Sequence, residues 1–520
     1  MRLRAIPAAV ALAVSACAPK PVKVAVAPVD FQPRLAEADA LVRIGCFDCL
    51  LKAFDEYDAV RRAPAAPAPI LEAATIGAIR TALLLDLRER ELGMLDDGYL
   101  ERARGLAAGR SDALDPRSIL FAFVDAVSWR IPEVETTTDD LMLDRARRLG
   151  LNRDQWKEQF RAEIGDRPFG AYLWLAFACA SGEALRMSSD ELTAPVAPLA
   201  DAPIVQFKRA ICPTINIKAL DQLREREPRF LEANYFLGVQ SILQGRLDDA
   251  DAYLRRAYAW HAKWPAVTLS LGNLAMTAED FEPALAFYDE TLDTVPTQRD
   301  AMLGRLKALT YLVRHEDAIR AADTILRDKW NRGEAYYWRA WNELQLGRLE
   351  EAWTDVEDAW KLWMRSDVAK LAGTIAYRRS QLDTARDKFA TAYRMNPNDC
   401  EAGYYLGLVH ADQRSWAASA DALTSAAACM DTAEQRITEE IARIQAWSAA
   451  ADRKARAIAR REQEIRTLRR MRATSWFDTA VAFFNLSRTD EARRFAEKVS
   501  DDEEFGARAK SILTQIEKRF

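Results

Sequence analysis

Residues 332–363 read RGEAYYWRAWNELQLGRLEEAWTDVEDAWKLW, and the phasing of this stretch decides the fold. It contains no proline, and Gly347 divides it into two runs whose apolar residues recur at helical spacing. Glu350 and Glu351 open the second run, in the first helical turn, where the positive end of the helix dipole favours carboxylates. Ala340 and Ala352, 12 residues apart, are small enough to let two antiparallel helices cross closely. The stretch predicts a helical hairpin with a tight turn at Gly347.

The same phasing recurs on both sides. Gly238, Gly272, Leu306, Ala340, Gly373 and Gly407 follow one another at separations of 34, 34, 34, 33 and 34, and 12 residues after each comes Ala250, Ala284, Ala318, Ala352, Ala385 or Ser419. Asp248 and Asp249, Glu282, Glu316 and Asp317, and Asp383 repeat the acidic first turn. Gly245 and Gly347 fall at the turn within a hairpin, and Pro296 and Pro397 at the turn between hairpins. Six consecutive matches at this period resemble the tetratricopeptide repeat family. The family pattern places both turn features in every repeat, and each of the six here lacks one or both. Ala480 and Ala492, preceded by Asp490 and Glu491, form a seventh match, and Arg34 to Val60 reads as a helical hairpin turning at Gly45.

With 49% hydrophobic and 29% charged residues and abundant helix formers, the composition agrees with an all-α chain. The resemblance implies a right-handed α-solenoid of stacked hairpins, with a long helix near the C-terminus read from the absence of proline and glycine between Ala433 and Arg472. The expected organisation is a lipoprotein signal peptide at 1–17, an extended tether at 18–33 and an irregular helical region of degenerate repeats at 34–228. Six repeats at 229–432, a long basic helix at 433–472 and a repeat-like hairpin at 473–520 complete it.

The family's groove-facing positions correspond here to Tyr235, Val239, Leu269, Asn273, Leu303, Lys307, Tyr337, Trp341, Lys370, Tyr377 and Tyr404. Tyrosine and tryptophan offer rigid contact area with a polar handle, which suits a peptide or protein partner. Members that clamp a C-terminal carboxylate use Lys and Asn at paired positions. Those pairs read Tyr235 with Val239, Tyr337 with Trp341 and Lys370 with Thr374, so that clamp is not expected. Trp330, Trp338, Trp341, Trp353, Trp360 and Trp363 crowd one repeat, either as packing between helices or as a platform for carbohydrate.

Arg2 and Arg4 precede an apolar run from Ala5 to Ala16 that is too short to cross a bilayer. Val14-Ser15-Ala16-Cys17 resembles the bacterial lipobox and implies lipidation of Cys17. Ala18 stands where enteric inner-membrane lipoproteins carry Asp, which favours the periplasmic face of the outer membrane. The remaining cysteines, Cys46, Cys49, Cys179, Cys212, Cys400 and Cys429, are even in number, as an oxidising compartment requires for disulfides. Cys400 and Cys429 fall at the start and end of two antiparallel helices, Cys46 and Cys49 would staple the turn of the first hairpin, and Cys179 and Cys212 remain. The Cys46–Cys49 spacing also admits a thiol oxidoreductase.

Between Arg453 and Arg472 lie nine cations, Arg453, Lys454, Arg456, Arg460, Arg461, Arg466, Arg469, Arg470 and Arg472, against Glu462 and Glu464. They would meet anionic lipid, a cell-wall polymer or an acidic protein face, or else pair with acidic residues of the chain such as Asp501 to Glu504. A net charge of -5 argues against nucleic acid. Three histidines in separate repeats, His315-Glu316 without a second histidine at 319, and no phosphate loop or serine elbow leave no catalytic, metal or cofactor constellation. The sequence therefore predicts a non-enzymatic, membrane-anchored periplasmic scaffold for protein partners, in envelope assembly or export.

Overall fold

A computed structural model describes residues 30–126, 158, 167–180, 188–212, 214–446 and 451–518. The signal peptide, Cys17 and tether residues 18–29 lie outside the described residues. Helix α1 (Gln32–Ile44) begins two residues ahead of the boundary read at 34, with Pro33 in its first turn and Phe31 buried before it.

Among the described residues there is no strand, and helices pack on their sequence neighbours. Seven repeats follow one another. Their helix pairs are Ala233–Leu243 with Leu247–Trp260, Pro265–Thr277 with Phe281–Thr294, Arg299–Tyr311 with His315–Arg327, and Arg332–Gln345 with Leu349–Leu362. Then come Ser366–Arg378 with Leu382–Met395, Cys400–Asp412 with Trp416–Gln445, and Ala451–Asn485 with Thr489–Glu497. A last helix, Gly506–Glu517, covers the end.

Within each repeat the helices cross where the sequence is small. Ala250, Ala284, Ala318, Ala352, Ala385 and Ser419 are all fully buried, and Ser419 donates its hydroxyl to the Gly407 carbonyl at 3.0 Å. A Cβ added at Gly238 would come within 2.6 Å of Leu254, and one at Gly373 within 2.7 Å of Phe389. The volumes are reciprocal: where the first helix carries Leu306 in place of glycine, the register-equivalent residue of the second helix is the fully buried Ala322.

The turn within each repeat is also the same seven times. Gly245, Glu279, Val313, Gly347, Ser380, Arg414 and Ser487 all adopt left-handed backbone angles, with φ between 55° and 75°. At each, two N–H groups reach back to the last carbonyls of the first helix: Val313 donates to Thr310 at 3.1 Å and Arg314 to Leu309 at 2.9 Å. This hydrogen-bond pattern closes a helix irrespective of residue type, so the repeats lacking glycine keep the turn at the expense of backbone strain.

The predicted single helix over 433–472 is corrected. The segment is divided between the second helix of repeat 6, which runs on to Gln445, and the first helix of repeat 7, which starts at Ala451. These two pack antiparallel, Arg472 meeting Asp431 and Glu434 while Arg461 meets Glu440. No proline or glycine marks the break. Ala446 ends the helix through its N–H to Arg443 at 3.1 Å, and Lys454 caps the Gln445 carbonyl at 3.2 Å.

The described residues before the repeats form no separate unit. One hydrophobic core runs from Phe31 to Leu274. Helix α1, helix α2 (Phe47–Arg61) and helix α3 (Ala68–Leu92) form its base, with α3 buried along most of its length. Buried charges fasten it to the array. Arg88 and Glu232, both fully buried, lie 2.6 Å apart, and Glu232 also accepts the Phe47 N–H at 2.9 Å. The Arg88 guanidinium covers the Phe207 ring at 4.0 Å, Lys208 pairs with Glu91, and Trp264 donates its indole N–H to the Leu92 carbonyl at 2.6 Å.

A carboxyl is also buried inside repeat 4. Glu343 is 7% exposed, and burial, then the neighbouring Asp355 charge, push its pKa up to about 8.

Two predictions follow from this packing. Val313 is 70% exposed, so Val313→Gly removes the strain of a β-branched residue at φ 61° with little packing lost. It should stabilise by about 1 kcal/mol, and Gly347→Val should destabilise by a similar amount. Chemical denaturation followed by circular dichroism reads both, and unchanged midpoints would show the turn to be strain-free. For Glu343, the folded state keeps a proton between pH 4.5 and about 8 that the unfolded state has released, so its contribution to stability falls as pH rises through that window. Glu343→Gln should therefore gain on the parent in melting temperature between pH 5 and pH 8. A constant difference across that range would contradict the assignment.

Candidate functional site

First helices of successive repeats touch one another at every step from repeat 1 to repeat 7. They form one continuous row on the inner side of the stack, and the residues predicted to face a groove lie along it.

At the start of the row the side chains serve packing. The Tyr235 ring lies 5.1 Å from both Phe236 and Trp264, and burial pushes its phenol up to about 12. Val239 is half-buried, and Leu269 and Leu303 pack against the core of repeats 2 and 3. Asn273 is exposed but accepts the Tyr288 hydroxyl at 2.8 Å, which fixes that ring between Gly272 and Gly304.

From repeat 3 onward the polar members form a ladder between repeats. Lys307 reaches Glu334 of the next first helix at 2.7 Å. Lys370 reaches Glu401 at 2.7 Å and Asp399 at 3.1 Å. Tyr377 donates its hydroxyl to Asp412 at 2.7 Å, and burial followed by that carboxylate drives its pKa upward. The rungs tie successive first helices to one another and leave the rings between them. Tyr337 is half-buried, with edge contacts to Trp338 at 5.3 Å and Trp363 at 5.8 Å, and its phenol is pushed up to about 12 by burial. Trp341, also half-buried, lies 5.7 Å from the His315 ring. Tyr404, like Leu468 and Met471 of helix Ala451–Asn485, packs against the buried cluster of Cys400, Ala426, Met430 and Ala433.

The carboxylates Glu334, Glu401 and Asp412, which complete the ladder, escaped the sequence reading. Lys307 with Glu334 and Lys370 with Glu401 are separated by 27 and 31 residues, close to one repeat, and that spacing was the available signal.

The tryptophans do not assemble one exposed platform. Arg299 stands over Trp330, Arg379 over Trp353, Lys388 over Trp360 and Arg365 over Trp363, at 4.4 to 5.5 Å. A cation therefore already covers a face of each of these four rings.

The basic stretch is spent largely within the chain. Arg469 meets Glu434 at 2.6 Å and Arg470 meets Glu504 at 3.1 Å, while Arg460 and Arg461 both reach Glu279. Lys454 caps a helix end, as above, and the Arg453 side chain lies outside the described residues.

The six described cysteines fall in three pairs. Cα separations are 4.9 Å for Cys46 and Cys49, 6.0 Å for Cys179 and Cys212, and 5.4 Å for Cys400 and Cys429. Cys46 and Cys49 are 1% and 3% exposed, which leaves no approach for the in-line attack that thiol exchange needs. Asp86, Glu89 and Asp96 bring carboxylate oxygens within 4.8 Å of one another, but Arg90 pairs with Asp86 at 2.8 Å and supplies the counter-charge. Burial pushes Glu89 up to about 8, so the cluster carries less negative charge than its composition suggests.

Residues 370–433 match the family model of the tetratricopeptide repeat. No curated protein matches the chain. Among solved structures, it is similar to the APC/C hetero-tetramer Cut9–Hcn1 at 12% identity, covering 90% of this chain and 93% of that one, with a TM-score of 0.38. It is similar to YrrB, described as a TPR protein with an unusual peptide-binding site, at 20% identity, covering 34% and 91%, with a TM-score of 0.29. It is also similar to pilF of Pseudomonas aeruginosa at 13% identity, covering 55% and 97%, with a TM-score of 0.29. The tetratricopeptide repeat pattern is thus matched at 370–433, and the two-helix unit that carries it recurs from Ala233 to Glu497.

Proposed function

We propose that the chain is a lipid-anchored scaffold on the periplasmic face of the outer membrane, holding a protein or peptide along its inner row of helices in envelope assembly or export. The observation that carries the scaffold reading is the continuous row itself, with half-exposed Tyr337, Trp341 and Tyr377 set between laterally satisfied polar groups. Rings of this kind supply contact area at small entropic cost, and a partner laid across several repeats would meet them in sequence. The anchor rests on Arg2, Arg4, the apolar run and Cys17. The pairing of all six other cysteines supports an oxidising compartment. No helix of the described residues is long and apolar enough to cross a membrane, which leaves the lipid as the proposed attachment. The covered tryptophan faces and the buried Cys46–Cys49 pair weigh against a carbohydrate platform and a thiol oxidoreductase.

Two measurements test this. Cys17→Ser should shift the protein from the membrane to the soluble periplasmic fraction, and the lipid mass should vanish from the N-terminal peptide. A variant that stays membrane-bound with unchanged mass removes the anchor from the proposal. Proteins crosslinked in intact envelopes to the parent should lose at least tenfold in recovery with Tyr337→Ala and Trp341→Ala combined, at unchanged helix content. Equal recovery would place the partner elsewhere.

A further inference from the structure

The two longest helices among the described residues do more than continue the array. Beyond the level of repeats 6 and 7, Trp416–Gln445 and Ala451–Asn485 extend as an antiparallel arm. Ile437, Ile444 and Ile465 are buried along it, and Arg461 and Glu440 pair across it. From Arg472, which pairs beside repeat 6, back to Arg456 the arm covers roughly 24 Å at 1.5 Å per residue, about the thickness of two to three stacked helices. Its end meets the turn of repeat 2, far away in sequence. Arg456 lies 3.1 Å from Asp280, Arg460 2.5 Å and Arg461 2.7 Å from Glu279. Arg460 also donates to the Glu279 backbone carbonyl and stands 5.2 Å over the Phe281 ring, which stacks on Tyr311 at 4.7 Å.

Glu279 occupies the left-handed turn position that glycine fills in repeats 1 and 4. A side chain there costs backbone strain, and it projects a carboxylate from the edge of the array to where the arm arrives. We propose that the arm is a clasp: three arginines grip the Glu279–Asp280 turn, tie repeat 2 to repeat 7, and set how far the inner row of repeats 3 to 5 is open. The groups in the grip are between 21% and 46% exposed, so the pairs are accessible to ions and screened by salt. The clasp is thus poised between holding and release. Its link to partner access rests on the scaffold reading above; the closure itself does not.

The test measures closure alone. Glu282→Cys and Glu462→Cys, both exposed in the parent, place nitroxide labels on either side of the clasp in a Cys17→Ser background, the other six native cysteines being paired. Pulsed electron resonance should give one narrow, short distance at about 0.05 M salt, broadening to longer distances at about 1 M. Glu279→Lys with Asp280→Lys should produce the broad distribution at low salt. Adding Arg456→Glu, Arg460→Glu and Arg461→Glu to that pair should restore the narrow one. A broad distribution in the parent, or a narrow one unmoved by salt and charge reversal, overturns the clasp. The salt arm involves no clasp substitution, so a variant that misfolds does not spare the proposal. No partner enters the measurement, so failure here leaves the scaffold reading untouched.

Discussion

Everything in the array depends on the distance at which the two helices of one repeat cross. A glycine or alanine on one side admits a large ring or branched chain on the other, as Gly238 admits Leu254 and Gly373 admits Phe389. Where the first helix carries Leu306, the second gives way to Ala322. Conserving the summed volume keeps the crossing distance constant, and constant crossings make each hairpin a stackable copy of the last. The left-handed turn is the second half of this constraint. It returns the chain at one fixed angle in all seven repeats, with glycine or without it.

The array starts from a base whose interior holds charges. Arg88 with Glu232 and Lys208 with Glu91 are ion pairs removed from water, a costly arrangement that well-packed apolar residues could replace. Their partners come from separate parts of the chain, so they specify one docking of α3, residues 203–211 and the first repeat over the alternatives that an apolar seam would tolerate. Trp264, capping the end of α3 from the boundary of repeats 1 and 2, adds a directional bond to the same joint. The inner row therefore grows from a fixed origin, and small changes in crossing angle accumulate only away from it.

How far the sequence disclosed this structure follows from the range of each signal. The small crossing residues, the acidic first turns and the Cys400–Cys429 bridge are set within one hairpin, and all were legible. Left-handed Val313, Ser380 and Arg414 were not, because the hydrogen bonds that close a helix impose that conformation on whatever residue stands there. The break at Ala446 was hidden for a related reason: tertiary pairing, not a helix-breaking residue, divides 433–472 into two antiparallel helices. Least legible were the partners of the basic stretch. Asp501 to Glu504 were one alternative for taking the charge, and Arg470 does meet Glu504, but Glu279 and Asp280, some 180 residues away, receive three arginines. Only the folded path brings those charges together.

The lateral pairs of the inner row agree with the sequence in giving no support to a carboxylate clamp. A clamp needs cations whose hydrogen bonds are completed by the ligand. Here Lys307 and Lys370 are already held by carboxylates of the following repeat, and the Lys370 ammonium is stabilised by Glu401 and Asp399 against its partial burial. A ligand carboxylate would have to displace an existing partner at equal charge, which gains little. The rings are not committed in that way. Contact with Tyr337 or Trp341 would add buried apolar area without breaking a bond, so a partner of the proposed scaffold would gain more from apolar and aromatic side chains than from charge.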